Sequence, residues 1–243
     1  MSKIGYGYGS EWHLLRYLGY HRDRLDSEVI RQAVPNAASI EWLDFVWSGK
    51  STKLRWDMEW QGIGFLAARK HNSPQITSAW AQFWPQTGTP PCWDAIGLAR
   101  INGDYEWLLV EAKAHTAELE GNGCCAGVSS RRTIINAFHA TQAAIGITPT
   151  SPQLLDAWLG AYYQYANRLA VLNFLHTQHI SAHLINIYFI KEARDTWNCP
   201  QRAADWDIAL DALYNTLRLP SRKSMNKPAL MQHVHEVFLP VYP

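Results

Sequence analysis

No run of apolar residues in this chain is long enough to cross a bilayer, and its first residues lack the apolar segment of a secretory leader. The expectation is a soluble, cytoplasmic protein with no membrane partner. Cysteine is scarce. Cys92, Cys124, Cys125 and Cys199 form no C-x-x-C pair, which excludes a dense disulfide framework and points to free thiols. A zinc centre assembled from Cys124, Cys125, Cys199 and a histidine lacks the regular spacing such sites favour, and it ranks last among the readings. An excess of one charge is missing too. The 22 Lys+Arg residues are offset by 21 Asp+Glu, so any contact with nucleic acid has to rely on a local patch rather than a whole-protein field. Repeats and low-complexity linkers are also absent. With 243 residues, 47% hydrophobic and only 18% charged, the chain reads as one domain with a substantial core, spanning 1–243.

Local patterns divide that domain into elements. Ser10 is placed to cap a helix running to about Tyr20, with Glu11 in its first turn where a carboxylate suits the helix dipole. Ser27 is placed to cap a second helix. Between Ile40 and Ala68 aromatic and polar residues alternate, most clearly from Leu54 to Trp60, as in a strand. Two apolar runs, Trp93–Ile101 and Glu106–Ala114, meet at Asn102-Gly103, and Asn-Gly suits the two positive-φ positions of a type I′ hairpin turn. Helices are expected over Ser130–Ile145, closed by Gly146, and from Ser151-Pro152 to about Gln178. Ala182–Ile190 is β-branched and aromatic enough for a strand. Helices near Ala204–Leu217 and Pro228–Phe238 complete an α/β arrangement.

The hairpin carries a geometric consequence. If Asn102 and Gly103 are its loop, Ile101 faces Asp104, and equal steps outward bring Asp94 opposite Glu111, with Cβ atoms about 4.5–5.5 Å apart. Lys113 lies two residues beyond Glu111 and so points to the same face. Two carboxylates facing one another in an apolar hairpin repel unless a cation compensates, and Mg²⁺ (or Mn²⁺) favours one or two carboxylates together with phosphate oxygens. Asp94 and Glu111 are therefore candidate metal ligands. Lys113 is placed to stabilise phosphate charge or activate water, which suits metal-assisted phosphodiester hydrolysis. The plainer alternative is a strand-entry Asp94 with Glu111 and Lys113 as a solvated ladder. Against it, both charges emerge from the apolar run Leu108-Leu109-Val110.

The order of helix, Asp-initiated strand, hairpin, strand ending Glu111-Ala112-Lys113, helix and strand resembles the PD-(D/E)XK nuclease superfamily. The likeness covers about residues 10–190, and 191–243 reads as a C-terminal helical extension. Asp94 matches the motif's Asp, although Pro91-Cys92-Trp93-Asp94 stands in place of Pro-Asp. The resemblance implies a restriction-endonuclease-like α/β/α sandwich with a central mixed sheet. It also implies a divalent-metal-dependent nuclease of DNA or RNA, or a catalytically silent relative that binds nucleic acid or a protein.

By the same resemblance, Glu11 on the first helix is a candidate supporting acid, with Glu59 as its rival. Gln164 looks similar to a glutamine that related nucleases carry on the helix after the lysine strand. Arg168 shares a helix face with Gln164 and has a fork that matches phosphate, while His115 shares a face with Lys113 if the strand persists. Both are candidate substrate contacts. The basic pairs Arg131-Arg132 and Arg222-Lys223 are weaker backbone contacts, and most of the twelve tryptophans, Trp158 among them, are expected to pack.

Overall fold

A computed structural model describes residues 9–43, 46–47, 57–147, 151–192 and 199–241. Helices α1 (Ser10–Tyr20) and α2 (Arg22–Gln32) precede strand β1 (Ala37–Trp42). The two-residue strands β2 (Val46–Trp47), β3 (Asp57–Met58) and β4 (Trp60–Gln61) and helix α3 (Pro74–Phe83) follow. Next come β5 (Cys92–Trp93), β6 (Ala95–Ile101) and β7 (Asp104–Lys113), then α4 (Val128–Ala144), α5 (Pro152–Leu159) and α6 (Tyr163–Thr177). Strand β8 (Ala182–Ile190), helix α7 (Asp207–Thr216) and strand β9 (Val234–Pro240) complete the order. Among the described residues, no helix is long and apolar enough to cross a membrane.

Asn102 and Gly103 both adopt positive φ, 52° and 96°, and Ile101 faces Asp104 as a two-residue turn requires. That hairpin forms the middle of a five-stranded sheet ordered β1-β6-β7-β8-β9. The first three strands run antiparallel, β8 lies parallel to β7, and β9 lies parallel to β8. Alternation along β7 sorts its side chains between two cores. Trp107 and Leu109 join the core built with α3 to α7, and Leu108, Val110 and Ala112 join the smaller one under α1 and α2. The result is a mixed α/β fold with helices on both faces of the sheet.

Several boundaries differ from those read in the sequence. Gly9 occupies the cap position of α1 and Ser10 is already helical; Ser27 lies within α2, its hydroxyl donating to the Asp23 carbonyl. The alternating segment breaks into two-residue strands, and 54–56 lie outside the described residues. Ser151 does cap α5, accepting from Leu154 N–H at 3.3 Å, with Pro152 in the first turn. The expected long helix is broken, however: α5 ends at Leu159 and α6 starts at Tyr163. Carbonyls freed at this break receive N–H groups from a preceding loop, Gly121 to Ala161 and Cys124 to Leu159, each at 2.8 Å. A Cβ on Gly123 would approach the Leu159 carbonyl oxygen to 2.8 Å, so this close docking depends on glycine.

The largest correction concerns 228–240. Only a short 3-10 turn, Ala229–His233, is helical there, and Val234–Pro240 pairs with β8 as the edge strand. The helix expected near Ala204–Leu217 is present as α7, whereas Val234–Pro240 is part of the sheet rather than a second helix. The Arg222-Lys223 pair also differs from the expected backbone contact. Arg222 is buried against Glu236, Asp207 and Asp211.

Candidate active site

The carboxyl end of β7 delivers two charged side chains to a cleft of about 380 Å³ lined also by Asp94, Glu59, Gln164 and Arg168. Glu111 and Lys113, two residues apart on one strand, emerge on the same face, and the Lys113 ammonium donates to Glu111 Oε1 at 2.7 Å. From α6, Arg168 donates to the other oxygen, Oε2, through Nε at 2.9 Å and approaches it with Nη2 at 2.8 Å. Its guanidinium lies over the Trp93 ring, 5.1 Å from the centroid, and also donates to Asn167 Oδ1 at 2.6 Å. Gln164, one turn earlier on α6, accepts from the Lys113 ammonium at 3.3 Å.

Asp94 arrives from the other side of the hairpin. The regular ladder ends at Ala95 facing Val110, and Asp94 N–H donates to that same Val110 carbonyl at 3.1 Å. Two consecutive residues thus address one partner, as at a bulge, and the Asp94 side chain turns to accept from Ala112 N–H at 2.7 Å through Oδ2. The simple cross-strand pairing expected from the turn is shifted by this step. Even so, Asp94 stays close enough to Glu111 for their charges to interact strongly.

The electrostatics separate the two acids. Burial first, and the charge of Glu111 second, push the Asp94 carboxyl up to about 8 against the pull of Lys113 and the Ala112 N–H. Burial also works to raise Glu111, but Arg168 and then Lys113 outweigh it and hold that carboxyl below its usual range. Burial works to lower Lys113, but Glu111 and Asp94 more than offset it, so the side chain remains a cation. At neutral pH the site therefore holds an ionised glutamate gripped by two cations beside a protonated aspartic acid. Near the rim, burial and then the charge of Glu59 raise the Cys92 thiol to about 11, which keeps it protonated.

No protein family, curated protein or solved structure matches this chain.

Five of the singled-out residues, Asp94, Glu111, Lys113, Gln164 and Arg168, come together in this cleft, and Glu59 joins them. Glu11 does not. It is exposed on α1, and Ser10 is the residue of that helix that lines the cleft. His115 also lies elsewhere. β7 ends at Lys113, and the imidazole turns to Glu118, with Nε2 3.0 Å from Oε1. Arg168 is present, but its fork is taken up by Glu111 rather than left open for phosphate.

The donors at Asp94 and Glu111 are all oxygen, which suits a hard divalent cation. Among the described residues Asp94 Oδ1 has no protein hydrogen bond, and Glu111 Oε1 becomes available if Lys113 swings aside. The residues present thus fit such an ion.

A second ligand-bearing group, not anticipated in the sequence, sits at the other end of β7. Glu106, His183 and His233 bring one ligand atom each to within 4.8 Å of one another, making the candidate metal cluster found among the described residues. Burial lowers His183. It also lowers His233 and His235, to about 4 and about 3, with neighbouring imidazoles adding to both shifts. The H-x-H spacing of His233 and His235 was the one local signal for this group.

Proposed function

We propose that the cleft hydrolyses phosphodiester bonds with the help of a divalent cation, and that the protein is a nuclease. One observation carries this reading: a buried glutamate is gathered with a half-buried aspartic acid and lysine into one cleft at the end of a strand. Burying three ionisable groups together is costly, and function is the common reason for it. The five-stranded mixed sheet is consistent with the α/β class that the resemblance implies.

Asp94 and Glu111 would hold Mg²⁺ or Mn²⁺. Such an ion supplies Lewis acidity toward water and phosphate when bound. Lys113, favoured as a cation by the neighbouring carboxylates, would pair with phosphate oxygens as negative charge grows. Gln164 steadies the ammonium from α6. Arg168 fixes the carboxylate plane of Glu111 and acts as a positioning residue.

The test is cleavage of single- and double-stranded DNA and RNA by purified protein in Mg²⁺ or Mn²⁺. Lys113→Met keeps the aliphatic stem, and loss of its charge should reduce turnover by about 10²–10³-fold with the fold intact. Cleavage of nothing on that panel, or equal cleavage by the variant, refutes the reading.

One observation favours a second reading. Both Glu111 oxygens already accept from cations, as in a self-contained ion-pair network. A silent member that binds nucleic acid without cutting it would have such a site, and binding without cleavage on the same panel identifies it.

A further inference from the structure

Three neighbouring strands present polar residues on one face at the end of the sheet remote from the cleft. Glu106 is on β7, His183 on β8 and His235 on β9, each two residues from a member of the smaller core, Leu108, Ile185 and Val237. His233 joins them from the turn before β9. From Glu106 to Glu111 the strand advances about 17 Å, so this group is separate from the cleft.

We propose that Glu106, His183 and His233 form a binding site for a divalent first-row transition metal, with Zn²⁺ as the expected occupant. Two imidazoles and one carboxylate suit zinc and its neighbours far better than Mg²⁺. The three donor atoms lie within 4.8 Å of one another, and a tetrahedral zinc with bonds of about 2.0–2.2 Å requires donors roughly 3.3–3.5 Å apart. Modest side-chain movement meets that requirement.

The hydrogen bonds point the same way. His183 Nε2 lies 2.7 Å from Glu106 Oε2, and His183 Nδ1 lies 2.9 Å from His235 Nε2. When an ion takes Nε2, the ring proton moves to Nδ1 and donates to His235. Ligating histidines are commonly oriented by an acceptor of this kind. His233 Nδ1 is buried with no hydrogen-bond partner among the described residues, an orphan that ligation or the tautomer it selects would account for. His176 closes the side of the group, its ring 4.5 Å from that of His233. Three protein donors leave a fourth position for water or a small anion.

Calorimetric titration of metal-free, tag-free protein with Zn²⁺ tests the proposal, together with Co²⁺ titration followed by its visible spectrum. A single ion per chain is expected, and Co²⁺ should develop the intense visible bands of a low-symmetry, four-coordinate site. Glu106→Gln and His233→Gln should each weaken Zn²⁺ binding at least tenfold while circular dichroism in EDTA stays unchanged. If His233→Gln does not fold, Glu106→Gln decides alone. Replacing all four cysteines with serine should leave binding unchanged. No binding of Zn²⁺ overturns the proposal. Equal binding by Glu106→Gln overturns it too, as does loss of binding in the serine protein, because thiols would then hold the ion.

Discussion

Asp94 is where stability and proposed chemistry pull against each other. Its folded carboxyl titrates near 8, far above the unfolded value of about 3.9. The folded state therefore binds the extra proton, and this contribution to stability is present below about pH 4 and is lost as pH rises through 8. Asp94→Asn keeps an oxygen for the Ala112 N–H and removes the titration. In EDTA at pH 8 the variant should melt several degrees higher than wild type, and the difference should vanish at pH 4. In calorimetry, Mn²⁺ binding should release about one proton per ion in wild type at pH 7, because Asp94 must ionise to ligate. Equal melting of the two proteins at pH 8, or no dependence of the Mn²⁺ heat on buffer ionisation, would show that Asp94 is not the protonated member.

The element that positions this residue is the β6–β7 hairpin, and its turn chemistry is testable. Gly103 sits at φ 96°, where a Cβ is strained even though nothing crowds it in space. Gly103→Ala should cost about 1–2 kcal/mol by urea denaturation with an unchanged m-value. An unmoved midpoint would mean that the turn relaxes freely and does not hold the register. The hairpin was legible because everything that defines it is local: two turn residues and two apolar runs. Glu111, Lys113 and their approximate relation to Asp94 followed from it, whereas the one-residue slip at Asp94 depends on the Ala112 N–H and left no local trace. Strand β9 was read as a helix because its short run Val234-His-Glu-Val-Phe-Leu-Pro240 does not alternate cleanly, and β8, its strand partner among the described residues, is distant in sequence. The break at Gly160 was passed over because the N–H groups that compensate for it come from Gly121 and Cys124, far back in the sequence. The histidine group escaped for the same reason. Its members lie on separate elements, and only the sheet brings them together.

For the molecule as a whole, two sets of groups give stability opposite slopes in pH. His183, His233 and His235 have folded values below the unfolded value of about 6.5, so the unfolded chain takes up protons first as pH falls below that point. Their contribution is complete above about 6.5 and is lost toward 4. Asp94 slopes the other way, losing stability up to 8, and Asp26, also raised by burial, slopes in the same direction. Metal-free protein should therefore be most resistant to urea near pH 6.5, with the steeper loss on the acid side. A midpoint that keeps rising from pH 6.5 to 8 would contradict this balance.

Assembly order follows from how α2 is fastened. The Gln32 side chain donates to the Phe238 carbonyl at 3.2 Å and accepts from the Phe238 N–H at 3.0 Å, filling the backbone slots that a further strand would use on β9. Tyr17 on α1 likewise donates to the Pro240 carbonyl at 2.7 Å. On the ribosome, α1 and α2 emerge roughly ten to forty seconds before the strand that receives them, at about 5–20 residues per second. For that interval Leu14, Leu25 and Val29 have only part of their eventual cover, which makes the nascent N-terminal half the stretch most in need of a chaperone.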